Sequence, residues 1–297
     1  MENPDTFYDG SKRIKSEIKK ENQRLFMRRL LANKSLLIGG IILIIIGLIA
    51  ILGPSFLSNT PYQIFAEERL SAPSREFIFG TDNMGRDLLS RVIFGARVSL
   101  FVGLMASGVT ALVGLMVGLY ASYYRFLDHI LMRICDGLMA FPAILLALAI
   151  MAALGANALN VIVALSIVMI PTVARVIRSA ALVVQEQTFI EAIKAQGAGS
   201  FRVIWVHIAP NVLSHLIIQA TYVFAISIII EASLSFMGVG IPAPDPSWGN
   251  IIYEGKIHIT RAWWMTLFPG AFILSTVIAL NLFGDGLRDF LDPYTIN

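Results

Sequence analysis

The sequence predicts an all-α integral membrane protein with six transmembrane helices, and three observations carry that prediction. Of 297 residues, 56% are hydrophobic and only 14% charged, against about a quarter charged in soluble domains, and the mean hydropathy is +0.72. Uncharged apolar runs recur at the length of about 20 residues that a crossing helix needs. Lysine and arginine fall mainly on one set of the connections between those runs, which is how topology is specified.

The first span is predicted from Ser35 to Gly53 and the second from Val98 to Tyr120. Gly137 to Ala174 carries no charge over 38 residues; as one straight helix it would be about 57 Å long, too long for a hydrocarbon core of about 30 Å. It is therefore divided at Gly155-Ala156-Asn157 into a third and a fourth span joined by a tight turn. The fifth runs from about Asn211 to Met237 and the sixth from about Trp263 to Gly284. Pro142 and Pro171 are expected to kink the third and fourth spans. Gly114-x-x-x-Gly118 lets another helix approach the second closely.

The tail before the first span holds Lys12, Arg13, Lys15, Lys19, Lys20, Arg24, Arg28, Arg29 and Lys34, which makes it cytoplasmic. Six crossings return the C-terminus to that side. Arg125, Arg133, Arg175, Arg178, Lys194, Arg202 and Arg288 then join the inner set. Arg69, Arg75, Arg86, Arg91, Arg97, Lys256 and Arg261 fall outside. The domain organisation that follows is a basic cytoplasmic tail 1–34, a first transmembrane helix 35–53, an extracytoplasmic loop 54–97, a transmembrane core 98–284 with a cytoplasmic loop 175–210, and a cytoplasmic C-terminus 285–297. The charged region and apolar core of the first segment are too long for a cleaved signal peptide. With Ile14, Ile18 and Leu25 on one side, stretch 12–34 reads either as a helix lying on anionic lipid or as a solvated tail that only fixes topology.

Enzymatic signatures are missing. The Gly249 to Gly255-Lys256 spacing is wrong for a phosphate-binding loop. His129, His207, His215 and His258 show no metal-ligand spacing, and there is no nucleophile elbow or Cys-His pattern. The single cysteine, Cys135, excludes an intramolecular disulfide framework. The chain is read as non-catalytic, without a cofactor or metal of its own and with no nucleic-acid partner.

Two features carry the functional reading. The first is polar segment 188–210, TFIEAIKAQGAGSFRVIWVHIAP, held between apolar runs on the cytoplasmic side. Thr188 and Glu191 fit a capping box, Gly197 stands where a short helix needs a left-handed residue to stop, and Ser200 can cap a second helix that Pro210 limits. Such a rigid knob is suited to passing force to a soluble partner. The second is Glu231, toward the outer end of the fifth span. A carboxylate at membrane depth either faces a water-filled path or bonds a neighbouring helix, and both readings stand. Asn160, Gln219 and Asn281 read as helix-bridging polar groups. In the outer loops, Arg86 and Asp87 read as a stabilising clamp or a partner contact, and Trp248, Trp263 and Trp264 as interfacial anchors.

The knob resembles the EAA loop of importer permeases in the ATP-binding-cassette (ABC) class, a pattern of Glu-Ala-Ala, three residues, Gly, nine residues, then Ile-x-Leu-Pro. Glu191, Ala192, Gly197 and Pro210 match; Ile193 replaces the second alanine, His207 the isoleucine and Ala209 the leucine. GTDNMGRDLLSRVIFGARVSL (80–100), SLSFMGVGIPAPDPSWG (233–249) and GDGLRDFLDP (284–293) resemble the C-type permease subunit of dipeptide and oligopeptide importers over residues 25–297. The resemblance implies a type I ABC importer permease fold in a bacterial or archaeal cytoplasmic membrane. It implies a sister permease subunit, two cytoplasmic ABC ATPase subunits that hold ATP and Mg, and an extracytoplasmic substrate-binding protein. Thr188, Glu191, Ala192, Lys194 and Gly197 would then be the ATPase-coupling residues and Glu231 the translocation-path candidate. The cargo would be di- or oligopeptides, with nickel chelates, glutathione or metallophore–metal complexes as the same-family alternative. An ion-coupled secondary transporter is the rival class; it should show paired broken repeats and a coupling ion at mid-membrane, and only Glu231 offers itself.

Overall fold

The computed structural model describes residue 21 and residues 32–291. The rest of the basic tail, with Ile14, Ile18 and Leu25, and residues 292–297 lie outside the described residues. Those described are almost wholly helical, with no β-strand and two isolated bridges, Ile64–Arg86 and Thr81–Asp87.

Helix α1 (Lys34–Phe56) starts where the Asn33 side chain accepts from the Leu36 N–H. Asp87 caps α2 (Leu88–Tyr123) the same way through Leu89. Then come α3 (Arg125–Met139), α4 (Ala143–Leu154) and α5 (Ala158–Gln185). Short α6 (Thr188–Ala195) leads into α7 (Ser200–Phe236). Short α8 (Trp248–Gly255) and long α9 (Trp264–Leu291) complete the chain. Five of these, α1, α2, α5, α7 and α9, are each long and apolar enough to cross a membrane, and the bent pair α3–α4 provides a sixth when taken as one span.

Several expected boundaries are corrected. The second span begins at Leu88, ten residues before Val98, because Arg91 is neutralised by partners and does not end the helix. The third is not a straight helix from Gly137: α3 and α4 meet at 93°. Pro142 is extended (φ −55°, ψ 131°) and bars Phe141 from helical geometry, so the expected kink is a break. Pro171 lies inside α5. The turn into the fourth span does fall at Gly155, which takes φ +86°. There Asn160 of α5 donates to the carbonyls of Leu154, the last residue of α4, and Gly155 (2.9 and 3.0 Å), so it joins the two helices across their turn. Helix α5 continues to Gln185, beyond Ala174, because Arg175 and Arg178 are paired with Asp136 and Asp128. Helix α9 runs on to Leu291, so residues 285–291 are helical.

Helix α7 starts at Ser200, ten residues before Pro210. Its turn Val203–Ile208 is π-helical, a wider turn placed directly before the proline whose ring would clash with the carbonyl four residues back in an α-helix. Pro210 therefore does not end the helix, and the second half of the knob is the first part of the fifth span.

Helices α2 and α5 pack through the predicted glycines. A β-carbon at Gly114 would stand 2.7 Å from Val173 Cγ1, and one at Gly118 2.7 Å from the Ala174 carbonyl oxygen. Helix α1 lies on α9, where a β-carbon at Gly39 would come within 2.6 Å of the Ala279 carbonyl. One core cluster joins α2, α4, α5 and α7 around Leu119, Leu165, Ile177 and Leu234. The other joins α1, α2, α8 and α9 around Trp248, Val92, Ile251 and Leu280. Trp248 is fully buried, its Nε1–H donating to the Val92 carbonyl (3.1 Å), and Trp264 donates to that of Thr81 (3.0 Å). These two tryptophans are core residues; only Trp263 is exposed as an interfacial anchor would be.

The molecule thus has two ends. At one, the Asn33 amide donates to the Gly286 carbonyl and Gln185 to the Ser122 hydroxyl, which gathers the start of α1, α3, α6 and the close of α9. At the other lie loop 57–87, the end of α7, the rim segment 238–247 and α8.

Candidate functional site

The tip of the first end is α6 with the turn behind it. Gly197 takes φ +82°, and the N–H groups of Gly197 and Ala198 donate back to the carbonyls of Lys194 and Ile193 (3.0 and 3.3 Å), a Schellman closure. The stop expected at Gly197 is therefore present, while two expected caps are not. The N-cap of α6 is Gln187, whose side chain makes no cap bond, so Thr188 and Glu191 form no capping box. Gly199, not Ser200, precedes the next helix. Backbone closure and packing hold the knob instead.

That packing comes from one face. Ile190 is fully buried with Val203 and Ile204. The Lys194 ammonium lies 5.5 Å from the Tyr123 ring centroid, a cation–π contact. Trp205, on the π-turn, donates Nε1–H to the Tyr120 hydroxyl (3.3 Å), tying the root of the knob to α2. The other face is free: Thr188, Glu191, Ala192 and Gly197 are exposed, and Lys194 is exposed too although its ammonium rests over Tyr123. Phe189 and Phe201 stand beside them, 38% and 72% exposed. Sequence reasoning missed these two phenylalanines, although large apolar side chains within a polar segment were the available signal.

Beside the knob, α3 is strapped across α5. Arg178 pairs in bidentate fashion with Asp128 (2.5 and 2.6 Å), and Arg175 pairs with Asp136. A cavity of about 420 Å³ opens there, lined by Asp128, His129, Arg133, Asp136, Arg175 and Arg178. Asp128 and Asp136 are two turns apart, the spacing of one helix face, a pattern that sequence reading passed over.

At the other end, Asp82, Arg86, Arg91 and Glu254 form a buried ion network. Asp82 accepts from Arg86 and Arg91 (both 2.6 Å), and Glu254 accepts from Arg86 (2.7 Å) and Arg91. The clamp expected at Arg86 is present, with Arg91 and Glu254 as additional members, while Asp87 serves as a helix cap. Burial above all pushes the Asp87 carboxyl above its ordinary range, against the lowering pull of hydrogen bonds from Ser90, Leu89 and Asn59. Tyr62 donates to Asp245 (3.0 Å), fastening the loop to the rim; burial first and that carboxylate second raise its phenol.

Glu231 is fully enclosed within the chain. Its Oε2 accepts from Ser99 of α2 (3.1 Å) and its Oε1 from Ser235 of α7 (2.8 Å); Ser247, the N-cap of α8, is a third hydroxyl partner. Of the two sequence readings, this geometry is that of a bond between elements. The carboxylate faces serines, not an open path. The coupling candidates come together on one knob, and Glu231 belongs to the opposite end.

The family described as "Binding-protein-dependent transport system inner membrane component" matches residues 111–297, and the "N-terminal TM domain of oligopeptide transport permease C" matches residues 23–73. A Brucella abortus protein provisionally named a peptide transport system permease protein is 46% identical over 269 residues, covering 91% of both chains. The dipeptide transport system permease protein DppC of Alkalihalophilus pseudofirmus is 43% identical over 90% of this chain and 88% of its own. The glutathione transport system permease protein GsiD of Pectobacterium atrosepticum is 38% identical over 91% and 90%. Multi-pass helical architecture, a knob of EAA-loop pattern and matches running nearly end to end agree: the chain belongs to the family of inner-membrane permease components of binding-protein-dependent transport systems.

Proposed function

We propose that this chain is one of two permease subunits of an ATP-driven importer of short peptides. A sister permease completes the path, two cytoplasmic ATPases carry ATP and Mg and supply the work, and an extracytoplasmic binding protein delivers cargo. The observation that carries this reading is the knob itself: a closed, rigid helix with one face anchored by Ile190 and Lys194 and the other left open. An ATPase groove that takes this face would move α5 and α7 together, since α6 is joined to both. The two halves would swing between inward-open and outward-open arrangements as rigid bodies. Peptide is the preferred cargo because relatives at 46% and 43% identity carry peptide and dipeptide names; the glutathione relative is the reason to test that tripeptide as well.

On this reading the knob end is cytoplasmic, as are both termini, in a bacterial or archaeal cytoplasmic membrane. The run of Lys and Arg that precedes α1 in the sequence supports the assignment, since α1 begins at that end. The test is reconstitution with the three partner types. Glu191→Cys or Lys194→Cys should crosslink to a cysteine in the ATPase groove, and binding protein loaded with dipeptide should stimulate ATP hydrolysis and uptake. Uptake driven by an ion gradient without ATP, or labelling of Lys194 from the external face, would overturn it.

A further inference from the structure

Three serine hydroxyls converge on Glu231, and each also receives a backbone N–H from the rim. Ser99 Oγ accepts from Trp248 N (3.2 Å), Ser235 Oγ from Ile241 N (3.2 Å) and Ser247 Oγ from Asn250 N (3.2 Å). An O–H that donates to the carboxylate leaves its oxygen lone pairs facing those N–H groups. The carboxylate therefore orients three hydroxyls, and the hydroxyls hold residues 241, 248 and 250. Glu231 and Ser235 stand on the last two turns of α7, whose first turn follows the knob at Ser200. The rim is fastened again at the far end of α8, where Glu254 meets Arg86 and Arg91.

We infer that Glu231 is a positioning residue that fastens the rim segment 238–250 to the outer end of α7, so that a displacement of the knob at one end of that helix moves the outer rim at the other. The source of the displacement rests on the proposed function; the fastening does not. Gly238 at φ +84° closes α7 with its own Schellman turn, through Gly238 N to Ser235 O (2.9 Å) and Val239 N to Leu234 O (3.1 Å). The chain therefore reverses immediately beyond the carboxylate, and α8 comes to lie against α7. A β-carbon at Gly249 would meet the Ala232 backbone at 2.7 Å. The rim has no room to slide on α7 and can only travel with it.

The experiment uses the full complex with sister permease, ATPases and binding protein. Glu231→Gln turns one acceptor oxygen into an N–H₂ group aimed at a serine hydroxyl, and Glu231→Leu removes the hub. Hydrogen exchange across residues 238–250 should rise about tenfold in both, with exchange in 188–197 unchanged. Dipeptide imported per ATP hydrolysed should fall about fivefold or more while ATP hydrolysis persists. Ser99→Ala and Ser247→Ala, which each remove one donor and keep the carboxylate, should show the same two effects at smaller size and cover the case in which Glu231 variants fail to assemble. Wild-type exchange in the variants would overturn the fastening, and raised exchange with an unchanged peptide-to-ATP ratio would overturn the transmission. If the wild-type complex shows no ATP-dependent uptake, the proposed function fails, and the exchange data still decide whether Glu231 holds the rim.

Discussion

Arg91 and Asp82 form an ion pair of 2.6 Å that is almost completely withdrawn from solvent, with side-chain exposures of 1% and 0%. They come from α2 and from the loop before it, and Glu254 of α8 joins them. Removing one partner of a buried pair strands the other charge. Arg91→Met is therefore expected to destabilise the chain by about 3–5 kcal/mol, seen as a lower melting temperature in detergent. Neutralising Asp82 together with Arg91, which leaves Arg86 paired with Glu254, should recover much of that loss; if the double variant is no better than the single, charge stranding is not the cause.

The seam between α2 and α5 yields a second expectation. Gly118→Val places a β-carbon 2.7 Å from the Ala174 carbonyl and 2.8 Å from Ile177 Cβ, so the helices must separate. Overpacking of this kind costs about 1–3 kcal/mol. Gly108→Ala, on the same helix with nothing within 4 Å of the added carbon, should be neutral or slightly stabilising. Paired thermal melts of the two variants check the contrast.

Gly197 separates folding from coupling. Its φ of +82° disfavours a β-carbon, yet none would touch anything within 4 Å. Gly197→Val should carry a backbone penalty of about 1–2 kcal/mol confined to the knob. The expected result is a nearly unchanged melting temperature with weakened ATPase binding and uptake. Asn tolerates the left-handed region, so Gly197→Asn should retain most of both. Equal effects of Val and Asn would show that the turn conformation is not what matters.

Asp87 predicts a pH dependence. Burial raises its native carboxyl above the ordinary value of 3.8, so the folded chain holds that proton more tightly than the unfolded one. Its favourable contribution is fully present below the ordinary value and is lost as pH rises through the raised native value. At neutral pH the ionised group weakens the fold. Asp87→Asn keeps an oxygen for the Leu89 N–H, and Asn caps about as well as Asp. The variant should be more stable than wild type at neutral pH, with its advantage shrinking as pH falls toward 3.8. Melting curves across that range give the sign directly; an advantage that grows on acidification would rule it out.

Much of this structure was legible in the residues because lipid leaves few options. Uncharged runs gave the spans, Gly155 and Gly197 marked backbone that only a left-handed residue supplies, and Gly114 and Gly118 marked the close helix seam. Most of what escaped depends on partners distant in sequence. Charged residues were taken as helix boundaries, but Arg91, Arg175 and Arg178 are neutralised by partners 9, 39 and 50 residues away in sequence, and their helices run on. Likewise Glu231 meets Ser99 across 132 residues, so its enclosure is invisible to local pattern. Pro210 was read as a stop because nothing local announces a π-turn.

That π-turn, Val203–Ile208, holds one residue more than the same length of α-helix requires. Deleting a single residue within it would return the turn to regular α winding with the helix on either side close to its present phase, and would set the ring of the proline against the carbonyl one turn back. The cost of such a loss would fall where the knob joins the span. Over evolutionary time this stretch can therefore change in composition more easily than in length, because the wide turn and the proline beyond it stand or fall together.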